Sequence, residues 1–358
     1  YADGYLFYLS QRNLMAQPFD ASAGRFKGAA FPVAQRIEYD PDRYIGAFSV
    51  STTGTLEYIA GEEMPSKMLW FDREGKEMGR VAVEGSPLNP SLSPSGKEMA
   101  VVVMPMEGGN HDVWVYDLAR GVGTRVTSEK TDHLGTTWSR DGQRVFYSKS
   151  DQAAMDVYSR VSSGLGPEEP VLKSSVRKFA NDWSPDGKVL IYMNFVGPGG
   201  IPQLWAHEAG AGKKDYPLLN NAFVQVNAQF SPDGRWIAYH SDESGKSEVY
   251  AISYPSLSTK VQISSGGGVQ PRWRKDGKEL FYVSLDGKMM AAPVTEKGTG
   301  LDVGAAKALF DSKVYQVILT LHQYDVSGDG QKFLINTRPE VAAEPATIYA
   351  NWQADFKK

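Results

Sequence analysis

The sequence predicts an all-β fold, a β-propeller of four-stranded antiparallel blades, and three observations carry that prediction. A Ser-x-Asp-Gly turn signature recurs along the chain, and the glycines of successive copies lie roughly 42 to 53 residues apart, which is the period of a propeller blade. The segments between the turns are short runs of β-branched and aromatic residues bounded by Gly, Pro, Asp and Ser. No segment holds the 3.6-residue apolar period of a helix for long.

The number of signature copies sets the expected number of blades. Six clear copies begin at Ser93, Ser139, Ser184, Ser231, Arg274 and Ser327, a weaker copy begins at Ser51, and Ala2-Asp3-Gly4 resembles the end of another. Eight copies predict eight blades, with seven as the alternative if the two end pieces merge. The corresponding blades of one domain, 1–358, are 1–43, 44–86, 87–131, 132–177, 178–223, 224–267, 268–320 and 321–358.

The two ends of the chain are incomplete in complementary ways. Residues 1–43 offer outer strands with almost no inner strand, and residues 321–358 offer inner strands without an outer one. Because a propeller must leave only short, protected edges, we expect the N- and C-terminal strands to pair and so join the ends.

Each repeat contains the same elements in the same order. In the repeat at 224–267, Asn227 to Phe230 leads into the turn, Arg235 to Tyr239 forms the second strand, Glu248 to Ile252 the third, and Lys260 to Ile263 the fourth. The turn follows from its residues, since Pro presets φ for a type I turn and Gly adopts the left-handed conformation that closes the hairpin. A large apolar pair such as Val249-Tyr250 recurs in the third strands and is interpreted as core packing.

Composition excludes several classes of function. The chain has 358 residues, a formal charge of −4 and no cysteine, so disulfides and Cys-ligated zinc are excluded and nucleic-acid binding is not expected. No apolar run approaches the roughly 18 residues that span a bilayer, so we expect no membrane insertion by this segment. The chain enters the repeat at its turn, and we therefore expect the natural polypeptide to continue upstream.

No motif of the sequence predicts catalysis in this chain. A G-x-S-x-G elbow is absent, and so are the glycine-rich loop, H-R-D and D-F-G motifs of protein kinases. His207-Glu208 lacks the second histidine of a zincin motif, and Asp242 to Glu248 lacks the order of a calcium loop. We predict no catalytic residue, no cofactor and no metal.

The candidate binding residues come from the inner strands. The residue two positions before each signature Ser is polar in all seven copies that can be aligned, and the next residue is apolar, which puts the two on opposite strand faces. The polar residues are Ser49, Ser91, Thr137, Asp182, Gln229, Arg272 and Asp325. We expect them to face the channel, either pairing with one another, as Arg272 and Asp325 would from adjacent blades, or binding a ligand.

Two histidines extend this candidate site. His133 and His322 each lie just before an inner strand, on the face opposite the signature turns. The loops there, at 132–133, 178–179, 223–226 and 321–322, are the expected channel mouth, because propellers bind at that kind of face by loop variation. The expected occupant is a protein, a peptide or a small polar ligand.

The repeated S-P-D-G-(K/R)-x-(I/L)-x-Y pattern, followed by an apolar-aromatic third strand, resembles the WD40-like PD40 repeats of TolB-type β-propellers. The stretches 13–20, 241–250 and 324–352 are similar to the C-terminal propeller of bacterial membrane-linked serine/threonine protein kinases. That resemblance implies a non-catalytic, extracytoplasmic sensor or interaction module with a kinase upstream; similar propellers are also fused to winged-helix regulators, which is the alternative for the upstream domain. The alternatives are a propeller-class hydrolase or lyase that uses channel residues, and a structural scaffold like TolB.

Overall fold

A computed structural model describes residues 1–10, 12–40, 45–61, 66–105, 109–151, 154–173, 175–197, 199–210, 214–219, 221–314, 320–337 and 345–355. The chain divides into two compact units: unit 1 is Tyr1–Met64 with Pro339–Lys358, and unit 2 is Pro65–Arg338. Within the described ranges, none of the helical structure has the length and apolarity to cross a membrane.

Unit 1 begins with eight short strands. They are β1 (Tyr5–Ser10), β2 (Asn13–Asp20), β3 (Arg25–Phe26), β4 (Phe31–Ala34), β5 (Tyr39–Asp40), β6 (Ile45–Gly46), β7 (Phe48–Val50) and β8 (Thr55–Tyr58). Strand β2 pairs with β1, β3 and β4, while β5 pairs with β6 and β7 pairs with β8. All of these pairings are antiparallel.

Unit 2 contains five sheets whose strands are consecutive in the chain. Sheet I is β11 (Ser86–Leu92), β12 (Glu98–Met104), β13 (Asp112–Asp117) and β14 (Val122–Arg125). Sheet II is β15 (His133–Trp138), β16 (Arg144–Asp151), β17 (Ala154–Val161) and β18 (Glu169–Leu172). Sheet III is β19 (Lys178–Trp183), β20 (Val189–Val196), β21 (Ile201–Glu208) and β22 (Asp215–Pro217).

Sheets IV and V continue the series. Sheet IV is β23 (Gln225–Phe230), β24 (Trp236–Ser241), β25 (Glu248–Ser253) and β26 (Lys260–Gln262). Sheet V is β27 (Val269–Trp273), β28 (Glu279–Val283), the long β29 (Lys288–Lys297), β30 (Gly300–Val303) and β31 (Lys307–Asp311), with both β30 and β31 paired to β29. The strands of sheets I to V span residues 86–125, 133–172, 178–217, 225–262 and 269–311.

Sheet VI combines strands from both ends of unit 2. It contains β9 (Lys67–Asp72), β10 (Glu77–Val81), β32 (Tyr324–Val326) and β33 (Lys332–Thr337) in the order β10-β9-β33-β32. After it the chain returns to unit 1, where β34 (Thr347–Ala350) pairs with β8 and a 3-10 turn spans Trp352–Asp355. Late strands therefore pair with early ones, as expected.

The partners in these pairings differ from the predicted blades at the ends. The sequence interpretation assigned 44–86 to one blade, but β7 and β8 pair with each other and β34 in unit 1, whereas β9 and β10 join sheet VI. Residues 321–358 are likewise divided between sheet VI and unit 1. The reason is that β32 and β33 supply two strands of a sheet, and β9 with β10 supply the two that are missing.

The core of unit 2 lies between neighbouring sheets. One buried cluster joins Met68 and Leu334 of sheet VI to Met99 and Val101 of sheet I. Another joins sheets V and VI through residues that include Phe281 and Phe333. The first residue of the recurring third-strand pair is buried at Val113, Val157, Leu204, Val249 and Met289, whereas Leu69 is half-buried and Ile348 in unit 1 is 69% exposed.

The signature turn is held by its own side chains. In the turn at 231–234, the Ser231 hydroxyl donates to Asp233 Oδ1 at 2.6 Å and accepts from the Trp236 amide at 2.9 Å. The Gly234 amide donates to the Ser231 carbonyl at 2.9 Å. The same Ser-to-Asp bond recurs at Ser139, Ser184 and Ser327. The repeated tetrapeptide is therefore a structural element that ends each inner strand.

Replacing Gly234 by alanine should destabilise the protein more than the same change at Gly187. Both glycines hold the fourth turn position with a left-handed φ, 75° and 69°, so each alanine carries the backbone strain of about 1 to 2 kcal/mol. A Cβ at Gly234 would lie 3.0 Å from Pro185 Cδ of the preceding turn, whereas a Cβ at Gly187 has no neighbour within 4 Å. Urea unfolding of both variants measures the difference, and equal losses would show that packing between turns contributes nothing.

Candidate functional site

Six of the seven predicted polar residues line one cavity in unit 2. These residues, named here the polar ring, are Ser91, Thr137, Asp182, Gln229, Arg272 and Asp325, one from the innermost strand of each of sheets I to VI. The space between them, named here the ring cavity, is about 100 Å³ and is also lined by His322, Asn181 and Arg140. It has room for a few water molecules or one small polar group.

A bulge in the inner strand positions most ring residues. The register of pairing shifts directly before the ring residue in the inner strands β11, β19, β23 and β27, and one residue earlier in β15. The residue two positions before the ring residue has a left-handed φ at Asn89 (52°), Gly135 (66°), Asn227 (56°) and Gln270 (56°). Asn and Gly tolerate that conformation best, which explains their presence in three of these four positions.

Asp182 connects three sheets around the cavity. Its Oδ2 accepts from the Phe230 amide of sheet IV at 2.9 Å and from Arg140 Nη2 of sheet II at 2.9 Å, and its Oδ1 accepts from the Trp183 amide at 2.9 Å. Burial raises the pKa of this carboxyl, while the guanidinium of Arg140 and the two amides act in the opposite sense. Both oxygens are therefore engaged in holding neighbouring strands together.

Asp325 has the same role in sheet VI. Its Oδ2 accepts from the Leu92 amide of sheet I at 2.7 Å, and its Oδ1 accepts from the Val326 amide at 2.8 Å. Arg272 of sheet V lies with Nε 3.4 Å from Asp325 Oδ1, as expected for ring residues of adjacent sheets. Burial raises the pKa of the Asp325 carboxyl, and Arg272 opposes that shift.

Every pair of successive sheets in unit 2 is joined by a polar contact of this kind, which is a hydrogen bond for five pairs and the Arg272–Asp325 ion pair for sheets V and VI. The Trp138 indole of sheet II donates to the Ser91 carbonyl of sheet I at 2.9 Å, and the Trp273 amide of sheet V donates to Gln229 Oε1 of sheet IV at 2.7 Å. Together with the contacts of Asp182 and Asp325, these bonds connect each sheet to the next, from sheet I through to sheet VI, and sheet VI back to sheet I. The polar ring therefore has a clear structural role.

Two polar side chains at the cavity are left without a hydrogen bond among the described residues. They are Asn181, through Oδ1, and His322, through Nδ1, and both residues are buried. Burial and the nearby positive charge of Arg272 hold the pKa of His322 well below its usual range, so the imidazole is neutral. A buried polar atom without a partner is costly, and a ligand that supplies the missing hydrogen bonds would be stabilised there.

Signature-turn residues form part of the cavity wall. Pro94 and Arg140, the second residues of two turns, line the ring cavity. Lys275, the second residue of another turn, donates from Nζ to the Pro94 carbonyl at 3.4 Å. Much of the cavity wall thus lies at the turn end of the inner strands, whereas the loops expected from the sequence to bind precede those strands. His322, from the expected loop 321–322, is the exception and lines the cavity.

The remaining two sequence candidates lie elsewhere. Ser49 is exposed on β7 in unit 1 and is not among the residues lining the ring cavity. His133 begins β15 and is fully buried beside Glu129, away from the ring cavity lining, and burial lowers its pKa. Sequence reasoning missed Arg140 and Asn181, although Arg140 occupies a turn position that is proline in three other copies.

Comparison with known proteins relates the chain to TolB. No protein-family model matches it. An uncharacterized protein of Agrobacterium fabrum is 24% identical over 213 residues, 54% of this chain and 66% of the relative. The Tol-Pal system protein TolB of Alcanivorax borkumensis is 23% identical over 148 residues, 40% of this chain and 34% of that protein. The chain thus matches just under two thirds of one relative and about a third of the other.

The solved structures are similar in fold. A protein of Agrobacterium tumefaciens named as a TolB superposes with a TM-score of 0.59 at 18% identity, covering 78% of this chain and all of that one. At such identity the likeness concerns the fold. Together with the four-stranded antiparallel sheets, it indicates that the chain has a β-propeller fold similar to that of TolB-like proteins.

Proposed function

We propose that this chain is a non-catalytic interaction module whose six sheets in unit 2 form a closed six-bladed propeller. Six blades, instead of the eight predicted from the signatures, are supported by the five hydrogen bonds and one ion pair that link sheets I to VI in cyclic order. Sheet VI closes the ring by pairing β33 with β9. Unit 1 is then a separate unit with its own early and late strands.

A binding role is supported by the state of the ring carboxylates. A general acid or base needs an oxygen that faces the substrate, but Asp182 and Asp325 each use both oxygens on backbone amides and also contact an arginine. This commitment of both carboxylates is the observation that carries the proposal. It favours binding over the hydrolase or lyase that uses channel residues.

The occupant of the ring cavity is a small uncharged polar group from a protein or peptide partner. Each ring carboxylate is already matched by an arginine, so a further charge has no counter-charge there. Asn181 Oδ1 accepts hydrogen bonds, and the neutral His322 imidazole can donate or accept. An amide or hydroxyl side chain satisfies both residues and fits the volume of about 100 Å³.

In the wider protein we propose that this module is an extracytoplasmic sensor or interaction domain of a signalling protein such as a bacterial serine/threonine kinase. The resemblance of the stretches 13–20, 241–250 and 324–352 to kinase-linked propellers supports this proposal. Binding of the partner at the ring cavity would send a signal to the upstream part of the protein by changing how the module associates.

Peptides selected from a random display library test the binding site. We expect Asn181→Leu to weaken the selected peptides by about tenfold or more in calorimetric titration, because it removes an acceptor that no other group replaces. Asn336→Leu is the matched control, since Asn336 is also 7% exposed and also leaves Oδ1 without a partner among the described residues, but lies on β33 outside the cavity lining. If Asn181→Leu and Asn336→Leu bind the selected peptides with equal affinity, the ring cavity is not the binding site.

A further inference from the structure

A second group of chemically suited side chains lies in sheet II, apart from the polar ring. Glu129 lies in the loop that leads into β15, His133 is the first residue of β15, and Glu168 immediately precedes β18. One ligand atom from each of the three residues lies within 4.8 Å of the others. Imidazole with two carboxylates is a donor set that divalent zinc accepts in proteins.

His133 is oriented as a metal ligand would be. Its side chain is 0% exposed, and Nδ1 lies 3.0 Å from the His111 carbonyl oxygen. Because a carbonyl only accepts, Nδ1 carries the hydrogen, and the lone pair is on Nε2. Nε2 has no hydrogen-bond partner among the described residues and lies 3.7 Å from Glu129 Oε2. Metal-binding histidines usually show this pattern, with the second ring nitrogen bonded to a carbonyl or carboxylate.

The two carboxylates are close to the required positions but are partly occupied. Glu168 accepts from Tyr147 at 3.0 Å and from Lys149 Nζ at 2.5 Å, and Glu129 accepts weakly from Arg160 at 3.4 Å. Ligand atoms around tetrahedral zinc lie about 3.3 Å apart, given bonds of roughly 2 Å, so the present spacing needs only small side-chain movements. The ammonium of Lys149 supplies the positive charge that a metal ion would otherwise bring.

A groove of about 570 Å³ is lined by residues that flank the group, although none of the three proposed ligands is among its lining residues. Lys149, Thr131 and Asp132 line it together with Tyr158, and Thr131 and Asp132 lie between Glu129 and His133 in the chain. Three protein ligands leave the fourth position of a tetrahedral site open to a water molecule.

We propose that Glu129, His133 and Glu168 form a binding site for a divalent transition-metal ion of the Zn²⁺ type. Lys149 is the internal cation that competes with the ion for Glu168. Binding fixes the loop that carries Glu129 onto sheet II and is independent of the ring cavity and of the proposed peptide partner.

Titration with Co²⁺, followed by visible absorption and confirmed with Zn²⁺ by calorimetry, tests the site in the complete chain. We expect one ion per chain with the intense absorption of a four-coordinate complex. His133→Gln and Glu168→Gln should weaken binding by about tenfold or more, because each removes one of three ligands. Lys149→Met should strengthen binding, because it removes the competing ammonium.

Two comparisons keep the outcome decisive. His207→Gln is the control, since His207 is also a buried histidine beside a carboxylate, with Nδ1 2.7 Å from Asp215, but lies in sheet III. Thermal unfolding of each variant separates loss of the ligand from loss of the fold, and Lys149→Met gives a gain that misfolding cannot produce. The proposal is overturned if the wild-type chain binds no ion, if binding persists in His133→Gln, or if Lys149→Met leaves the affinity unchanged.

Discussion

Asp325→Ala should destabilise unit 2 by about 3 to 5 kcal/mol, the cost of breaking a buried ion pair by removing one partner. The change leaves the Leu92 and Val326 amides without their acceptor and leaves the Arg272 guanidinium, whose side chain is 7% exposed, without a counter-charge. It also removes the hydrogen bond from sheet VI to sheet I. The free energy of unfolding in urea measures the loss.

Asp329→Ala serves as the control for this prediction. Asp329 lies in the turn that follows β32, where it accepts from Ser327 at 2.6 Å and from the Gln331 amide at 3.0 Å in an exposed setting. It should cost about 1 kcal/mol, the net value of an ordinary hydrogen bond. The double variant Asp325→Ala/Arg272→Met should recover part of the loss. A loss at Asp325 no larger than that at Asp329 would refute the structural role of the ring.

Trp352→Ala should destabilise unit 1 by about 3 to 5 kcal/mol, because truncating a buried tryptophan removes packing and leaves a cavity. The indole is fully buried and packs edge-on against Tyr5 at 5.2 Å and Phe7 at 5.1 Å between ring centroids. It belongs to the same buried cluster as Leu14 and Leu56. The late segment of the chain therefore completes the core of unit 1.

Hydrogen exchange monitored by mass spectrometry distinguishes the two units in this variant. Amides of β1, β2 and β8 should lose protection. Amides of β12 and β24 should keep it, because neither strand contributes to the buried cluster that contains Trp352. Trp352→Phe, which retains an aromatic ring, is the control and should preserve most of the protection. Equal loss of protection across 65–338 would contradict the division into two units.

Local pattern predicted the middle of the fold well. In sheets I to V each strand pairs with its neighbour in the chain, so the turn signature and the strand lengths together define the sheet. The pairing of β33 with β9 joins residues such as Phe333 and Phe71, which are far apart in sequence. The strand with which β33 pairs depends on which strand edges remain unpaired after the other sheets form. No local residue pattern encodes that choice.

The candidate site was also predicted in part from the sequence. Alternation along the inner strands identified all six members of the polar ring, but it also included Ser49, which has the same pattern in a strand of unit 1. His133 and His322 share a position in the repeat, yet His133 is paired within the six-residue strand β15, whereas His322 precedes the three-residue strand β32. Strand length and bulges, which the pattern does not show, separate their environments.

Photo-crosslinking to a selected peptide tests most directly whether the partner binds at the turn end of the ring. A photoreactive amino acid replaces either Lys275, which is exposed and reaches Pro94 beside the cavity, or Phe223, which is 44% exposed in the loop before β23. The account predicts crosslinked peptide from position 275 and none from position 223. Crosslinking from position 223 alone would contradict it and would restore the loops at the opposite rim as the binding face.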